Sequence, residues 1–286
     1  MKRLGTPQSG MALLAVLWMV AAMGLMITSV VRSVRSEAKT AGLQRQVLTA
    51  SARADAFILL ALQNIQSNPV RPGVNPQNLP VQFEEHMGTV TVMPLNGLID
   101  INTASVNLLA QMYRHAGGLS PQEAQTMAQA TRETRELKSS KGVKQNFDAI
   151  EDLLWVPAMT YDLYVKLAHL VTVNIRNGGG RVNPHAAPLG VLQILTGGDL
   201  ARATVMASQR DTDANTMDTS FLEPEYIAMA ASNNLRLQTQ VQLSGGGVLQ
   251  KSWLVYWGND PRSGLPWRVL GMQQSMLNMA PRGIEP

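Results

Sequence analysis

The chain has 286 residues, of which 45% are hydrophobic, 15% charged and 5% aromatic, with a formal net charge of +4 and no cysteine. That length suits one large domain or two smaller ones and suffices for a buried core. The absence of cysteine excludes a disulfide framework, thiolate zinc sites and a thiol nucleophile. The net charge is too small to argue for nucleic acid, since Lys2 and Arg3 supply two of it.

Hydrophobicity is unevenly spread. Residues 11–31 form a run of 21 without one charged side chain. At about 1.5 Å per residue, such a run is long enough to cross a bilayer as a helix. Lys2 and Arg3 precede it, and Arg32 and Arg35 follow it, which puts a short basic leader on the inside. The run is too long for the apolar part of a cleaved secretory signal. Helical pattern continues past it. Val34, Ala38, Ala41, Leu48, Ala52, Ala56, Leu59 and Leu62 recur at spacings of three, four or seven. One helix over 11–66 is therefore expected, about 84 Å long. Asn68-Pro69 and Pro72-Gly73 end it.

A loop and one strand follow over 67–99, with the strand at the alternating residues 89–92. Helices are then expected through 100–210. The first covers 104–115 and is capped by Thr103. The second starts at Ser120-Pro121, with Glu123 completing a capping box. Others are expected over 148–155, 160–170 and 189–195. Asn102-Thr-Ala-Ser and Phe147-Asp-Ala-Ile-Glu-Asp-Leu-Leu-Trp-Val-Pro resemble a tandem helix-hairpin-helix. That motif holds a DNA backbone through the amides of a glycine-rich hairpin. Here the first hairpin, Ala116-Gly-Gly-Leu-Ser-Pro, is only partly glycine-rich. The second, Val156-Pro-Ala-Met-Thr, has no glycine, and no cluster of lysine or arginine adjoins either. A compact helical domain is the better reading, and nucleic acid is not an expected partner.

The period then changes to two. Leu235, Leu237, Val241 and Leu243 share one face, and so do Trp253, Val255 and Trp257 of the next segment. A third strand is expected over 267–272. Ser244-Gly-Gly-Gly and Asn259-Asp-Pro-Arg-Ser-Gly are the turns. The expected fold is α+β: a long N-terminal helix on an antiparallel sheet, with a large all-helical domain inserted. Its segments are a leader at 1–10, the helix at 11–66 and a loop and strand at 67–99. The insert occupies 100–210, an acidic loop and the remaining sheet 211–275, and a tail 276–286.

No catalytic constellation occurs. His86, His115, His169 and His185 lack ligand spacing, and there is no phosphate loop or nucleophile elbow. An enzyme is not expected. Asp211, Asp213 and Asn215 alternate as at the start of a calcium loop, and Asp218, Glu223 and Glu225 offer further oxygens. Thr216 stands where an EF-hand needs glycine, and Leu222 where it needs glutamate. An irregular calcium site and a solvated loop both remain open.

A basic leader ending in Gly10, followed at once by a retained apolar helix, resembles the signal of type IV pilins and pseudopilins. The resemblance implies cleavage after Gly10 by a prepilin peptidase and methylation of the new N-terminus, Met11. The fifth residue after the cut is glutamate in most of that family, and here it is Ala15. There the carboxylate is thought to pair with a neighbouring subunit's N-terminal amine, so Ala15 implies a subunit with no neighbour beyond it.

The four segments beginning Asp100-Ile-Asn-Thr-Ala-Ser, Leu119-Ser-Pro-Gln-Glu, Phe147-Asp-Ala-Ile-Glu-Asp and Arg181-Val-Asn-Pro-His-Ala-Ala-Pro resemble the helical insertion of the minor pseudopilin K family of type II secretion. That resemblance implies an inner-membrane anchor in contact with lipid and a periplasmic domain. It further implies a place at the filament tip with minor pseudopilins I and J, a capping role and contact with secreted substrate. Calcium is reported for some members. The alternatives are a membrane-anchored DNA receptor and a minor pilin of a type IV pilus.

Overall fold

The computed structural model describes residues 9–67, 75–137, 146–173, 179–212, 216–244 and 246–277, without the side chains of 9–12, 25 and 28–30. In chain order the elements are α1 (Ser9–Ser67), β1 (Gln77–Phe83), β2 (His86–Pro94), β3 (Ile99–Asp100), α2 (Val106–His115), α3 (Pro121–Glu136), a 3-10 helix (Ile150–Trp155), α4 (Tyr161–Leu167), β4 (Val171–Thr172), α5 (Leu189–Leu195), α6 (Leu200–Thr212), β5 (Asn234–Gln242), β6 (Val248–Trp257) and β7 (Trp267–Leu277). They divide between two compact units. One comprises Met1–Arg53, Val241–Leu249 and Met276–Pro286, and the other Ala54–Gln240 and Gln250–Ser275. The leader residues 1–8 and the tail from 278 lie outside the described residues.

The larger unit is built on the last turns of α1. Ala54, Phe57, Ile58, Ala61, Leu62 and Ile65 are buried at spacings of three and four, as a helix lying on a sheet requires. The sheet runs in the order β1-β2-β5-β6-β7. Leu235, Leu237, Lys251, Trp253 and Val255 are buried on its inner face. The alternation in the sequence is therefore the alternation of the sheet, with Lys251 as the exception. Its ammonium donates to Asp55 of α1 at 2.6 Å. Trp253 Nε1 donates to the other Asp55 oxygen at 3.1 Å. One carboxylate thus joins the helix to two adjacent inward positions of β6. A glycine at 88 makes room for the same helix, since a methyl there would overlap the Phe57 ring.

Between β2 and β5 the chain leaves the sheet and returns. Because these strands pair, with Pro94 opposite Leu235, the insert departs and re-enters at one place. It has its own core, which includes Leu109, Met112, Tyr113, Leu153, Leu167 and Val191. Asn96 and Asn183 both donate to the carbonyl of Ala230, at 2.6 and 3.3 Å. The Asn183 amide donates to the Asn96 carbonyl at 2.7 Å, closing the base of the insert.

Several elements differ from expectation for identifiable reasons. β1 arises within what reads as a proline-rich loop. It is the edge strand, where Pro80 needs no ladder hydrogen bond on its open side. The cap of α2 is Ser105, which accepts from Leu108 N, and not Thr103, whose hydroxyl donates to Asp100 at 2.9 Å. Residues 150–155 form a 3-10 helix, ended by the restriction that Pro157 places on Val156. The insert is not wholly helical, because β3 and β4 pair in parallel. It also extends past 210. α6 carries the chain to Thr212, and Met217 and Leu222 belong to the insert's core. The box at Ser120, Pro121 and Glu123 forms as expected, as does α5 over Leu189–Leu195.

Replacing Asp55 by alanine leaves Lys251 buried without its carboxylate and should lower stability by about 2 kcal/mol in urea unfolding. Asp55→Asn keeps an acceptor for Trp253 and should lose less. Gly97→Ala drives a methyl into the Ala186 carbonyl and should cost about 3 kcal/mol by the same measurement.

Candidate functional site

The first candidate is the smaller unit's part of α1. Val16, Leu17, Trp18, Met19 and Val20 are all exposed, Trp18 to 74%. Successive residues of an α-helix step around it by about 100°, so these five cover its whole circumference. Leu14 and Ala21 are exposed as well, and Leu25 lies outside the described side chains. The apolar surface is thus not limited to one stripe. A helix apolar all round is covered by lipid or by other helices. Among the described residues no helix is long and apolar enough to cross a membrane. The longest unbroken apolar stretch of described side chains covers 13–24, short of the roughly 20 residues a span requires. Gly10 and Met11 are helical in backbone, and Ala15 is exposed on the same helix.

The second candidate is the acidic segment. Asp211, in the last turn of α6, pairs with Arg210 at 2.8 Å. The same Arg210 donates to the Ala187 carbonyl, so Asp211 neutralises a guanidinium that ties α6 to the segment just before α5. Asp218 accepts from Ser220 N at 2.9 Å, and that hydrogen bond holds its pKa below the usual range. Glu225 is hydrogen-bonded by the Tyr226 hydroxyl, whose pKa is pushed up to about 12, chiefly by burial. Glu223 is exposed. Asp213 and Asn215 lie outside the described residues. Among those described, no three acidic or histidine side chains gather in a way that would hold a metal ion.

The third candidate is the pair of hairpins that resembles a DNA-binding motif. In the first, the amides of Ala116, Gly117, Gly118 and Leu119 all donate to carbonyls of α2. Gly118 takes a φ of 76°, as a helix-ending glycine does. The next helix start is occupied by Glu123, which accepts from Ser120 N at 3.0 Å. The nest is therefore closed by its own carbonyls and fronted by a carboxylate. In the second hairpin, Val156 N and Met159 N are likewise engaged with backbone carbonyls. Ala158 sits at φ 66°, the position a glycine would fill.

The recurring asparagines hold the insert together. Asn102 exchanges two hydrogen bonds with the backbone of Phe147, both 2.9 Å, so its amide imitates a strand neighbour. Arg135 donates to the carbonyls of Ile101 and Ala104, both at 2.9 Å. Burial lowers its pKa. Sequence reading found the asparagines as motif letters and missed Arg135, Lys251 and Asp55. Their partners lie far away in the chain, and no local pattern marks them.

No protein-family model and no curated protein matches this sequence. Among solved structures, the chain is similar to one in the GspK–GspI–GspJ complex of the type 2 secretion system of enterotoxigenic Escherichia coli. The TM-score is 0.54 at 16% identity, over 84% of this chain and 99% of that one. The two share a fold. The α+β plan expected above, a helix on an antiparallel sheet with a large insert, agrees with that likeness of fold.

Two outcomes test the hairpin assignment. Ala158→Gly relieves a left-handed alanine and should raise stability by about 0.5 kcal/mol after the glycine's own entropy is counted. The full-length protein should bind no duplex DNA at about 50 mM salt in a fluorescence anisotropy titration, where a phosphate-reading protein binds most strongly.

Proposed function

We propose that the protein is a minor pseudopilin of type II secretion, and that its role is structural. The observation that carries this reading is the likeness of fold over 84% of the chain. The exposed, uncharged stretch of α1 over 13–24 agrees with it. On this reading the run over 11–31 anchors the subunit in the inner membrane and then packs with partner helices, while the remainder lies in the periplasm. The partners are minor pseudopilins of the I and J types, the kind named with the similar structure. A prepilin peptidase acts at Gly10 and exposes Met11. A carboxylate within a membrane is expensive unless paired. Ala15 therefore suits a subunit at the filament tip, where no further amine arrives. The bulky insert then limits growth beyond it and meets secreted substrate. Trp155 and Tyr161, 63% and 69% exposed on the insert, are the residue types that anchor such contacts.

Calcium enters this reading only with Asp213 and Asn215, since the described acids do not assemble a site. Calorimetry with calcium on the full chain in detergent decides it. Heat and thermal stabilisation support a site there, and their absence removes it.

Co-expression with candidate I- and J-type subunits should give a stable ternary complex on affinity purification, whereas a chain indifferent to both would refute the reading. N-terminal sequencing of the protein purified from membranes should begin at Met11. An N-terminus at Met1 in cells with an active prepilin peptidase would remove the processing step.

A further inference from the structure

The outer face of the sheet carries a charge that the fold leaves unanswered. Along β5, Leu235, Leu237 and Thr239 turn inward and are buried, so Arg236 points to the other face. The insert covers this face, with Leu254 of β6 packed against the insert's core. Between them lies a cavity of about 240 Å³, lined by Arg236, Ser252, Leu254, Met272, Thr172 and Glu151 among others. It adjoins a larger one of about 630 Å³ that contains Arg268 and Tyr256. Asp148, Val173 and Leu254 line both.

The other desolvated charges of this unit have partners. Lys251 has Asp55, Arg210 has Asp211, and Arg135 has two carbonyls. The buried carboxylate of Asp152 accepts from the amides of Asp148 and Ala149 at 2.7 and 3.0 Å. Among the described residues Arg236 alone of this set makes neither hydrogen bond nor ion pair. Burial lowers its pKa. Asp148 also lines the cavity, and among the described residues it forms no ion pair with Arg236. Glu151 lines the cavity, but its carboxylate is engaged by the Tyr164 hydroxyl. A desolvated guanidinium is unfavourable without an anion, and its five donors form a fork that matches a carboxylate.

We propose that Arg236 and the cavity it faces form a carboxylate-binding site. The guanidinium takes the carboxylate, and Leu254, Met272 and Val173 receive the short apolar stem that carries it. The volume admits one such group and not a folded element. The carboxylate belongs either to a glutamate or chain end of a partner protein, or to a small free acid.

The test uses the full-length chain in detergent, with thermal unfolding followed by circular dichroism. The probes are succinate and the peptide acetyl-Gly-Leu-Glu-amide, each at about 20 mM and compared with sodium chloride of equal ionic strength. At least one probe should raise the melting temperature by roughly 3 °C above the salt control. Arg236→Met should abolish that shift while leaving the melting temperature without probe equal or higher. A response to succinate identifies a small free acid, and a response to the peptide alone identifies a protein-borne carboxylate. The proposal is overturned if neither probe exceeds the salt control, if Arg236→Met keeps the shift, or if that variant melts lower without probe. The last result would make the guanidinium a structural group.

Discussion

The larger unit depends on one carboxylate. Asp55 lies in α1 between the buried Ala54 and Phe57, and it receives both Lys251 and Trp253 of β6. Apolar contacts alone would tolerate a slide of helix along sheet, because they have no direction. A slide by one turn, about 5.4 Å, would carry Asp55 out of reach of both the Lys251 ammonium and the Trp253 indole N–H. The ion pair therefore fixes register where hydrophobic burial supplies the attraction. Asp55 keeps a third of its side chain exposed while Lys251 keeps about a tenth, so the lysine is the partner that must not be left alone.

The insert imposes few demands on this arrangement. It leaves and returns between two strands that pair with each other, so the sheet closes as if the insert were absent. At that junction Asn96, Asn183 and the carbonyl of Ala230 form a bracket. Asn102 binds the backbone of Phe147 farther in. Each of these amides satisfies a main-chain group that a loop would otherwise leave unpaired. The segments that resemble a DNA-binding motif are thus used internally. Their asparagines face the protein's own backbone, and their hairpin amides face their own helices.

Periodic features were legible in the sequence. The long helix, α5, the capping box at Ser120 and the three C-terminal strands all follow from spacing and turn chemistry. What was not legible depends on distant contacts. Nothing near Asp55 or Lys251 announces a pair separated by 196 positions. Thr103 reads as a cap until Asp100 claims its hydroxyl, and Pro80 reads as a loop until its strand proves to lie at the edge. α6 was obscured because Asp211 reads as a loop acid when taken alone. It becomes a helix-end partner once Arg210 is seen reaching Ala187. Of the candidate site, Gly10, Met11 and Ala15 rest on the resemblance of the N-terminal sequence to the pilin signal, and no contact in the fold bears on them. Arg236 gave no sequence signal, because it occupies an ordinary outward position in an alternating strand.

The central claim is that this chain terminates a filament. On the proposed reading, a helix whose residues 11–31 carry no charge, with alanine at position 15 and a bulky insert beyond it, suits a subunit with neighbours on one side only. Gold labelling of an epitope placed at the C-terminus, viewed on filaments sheared from cells, tests this most directly. The account predicts label at one end of each filament and none along the shaft. Label repeated along the shaft would contradict it.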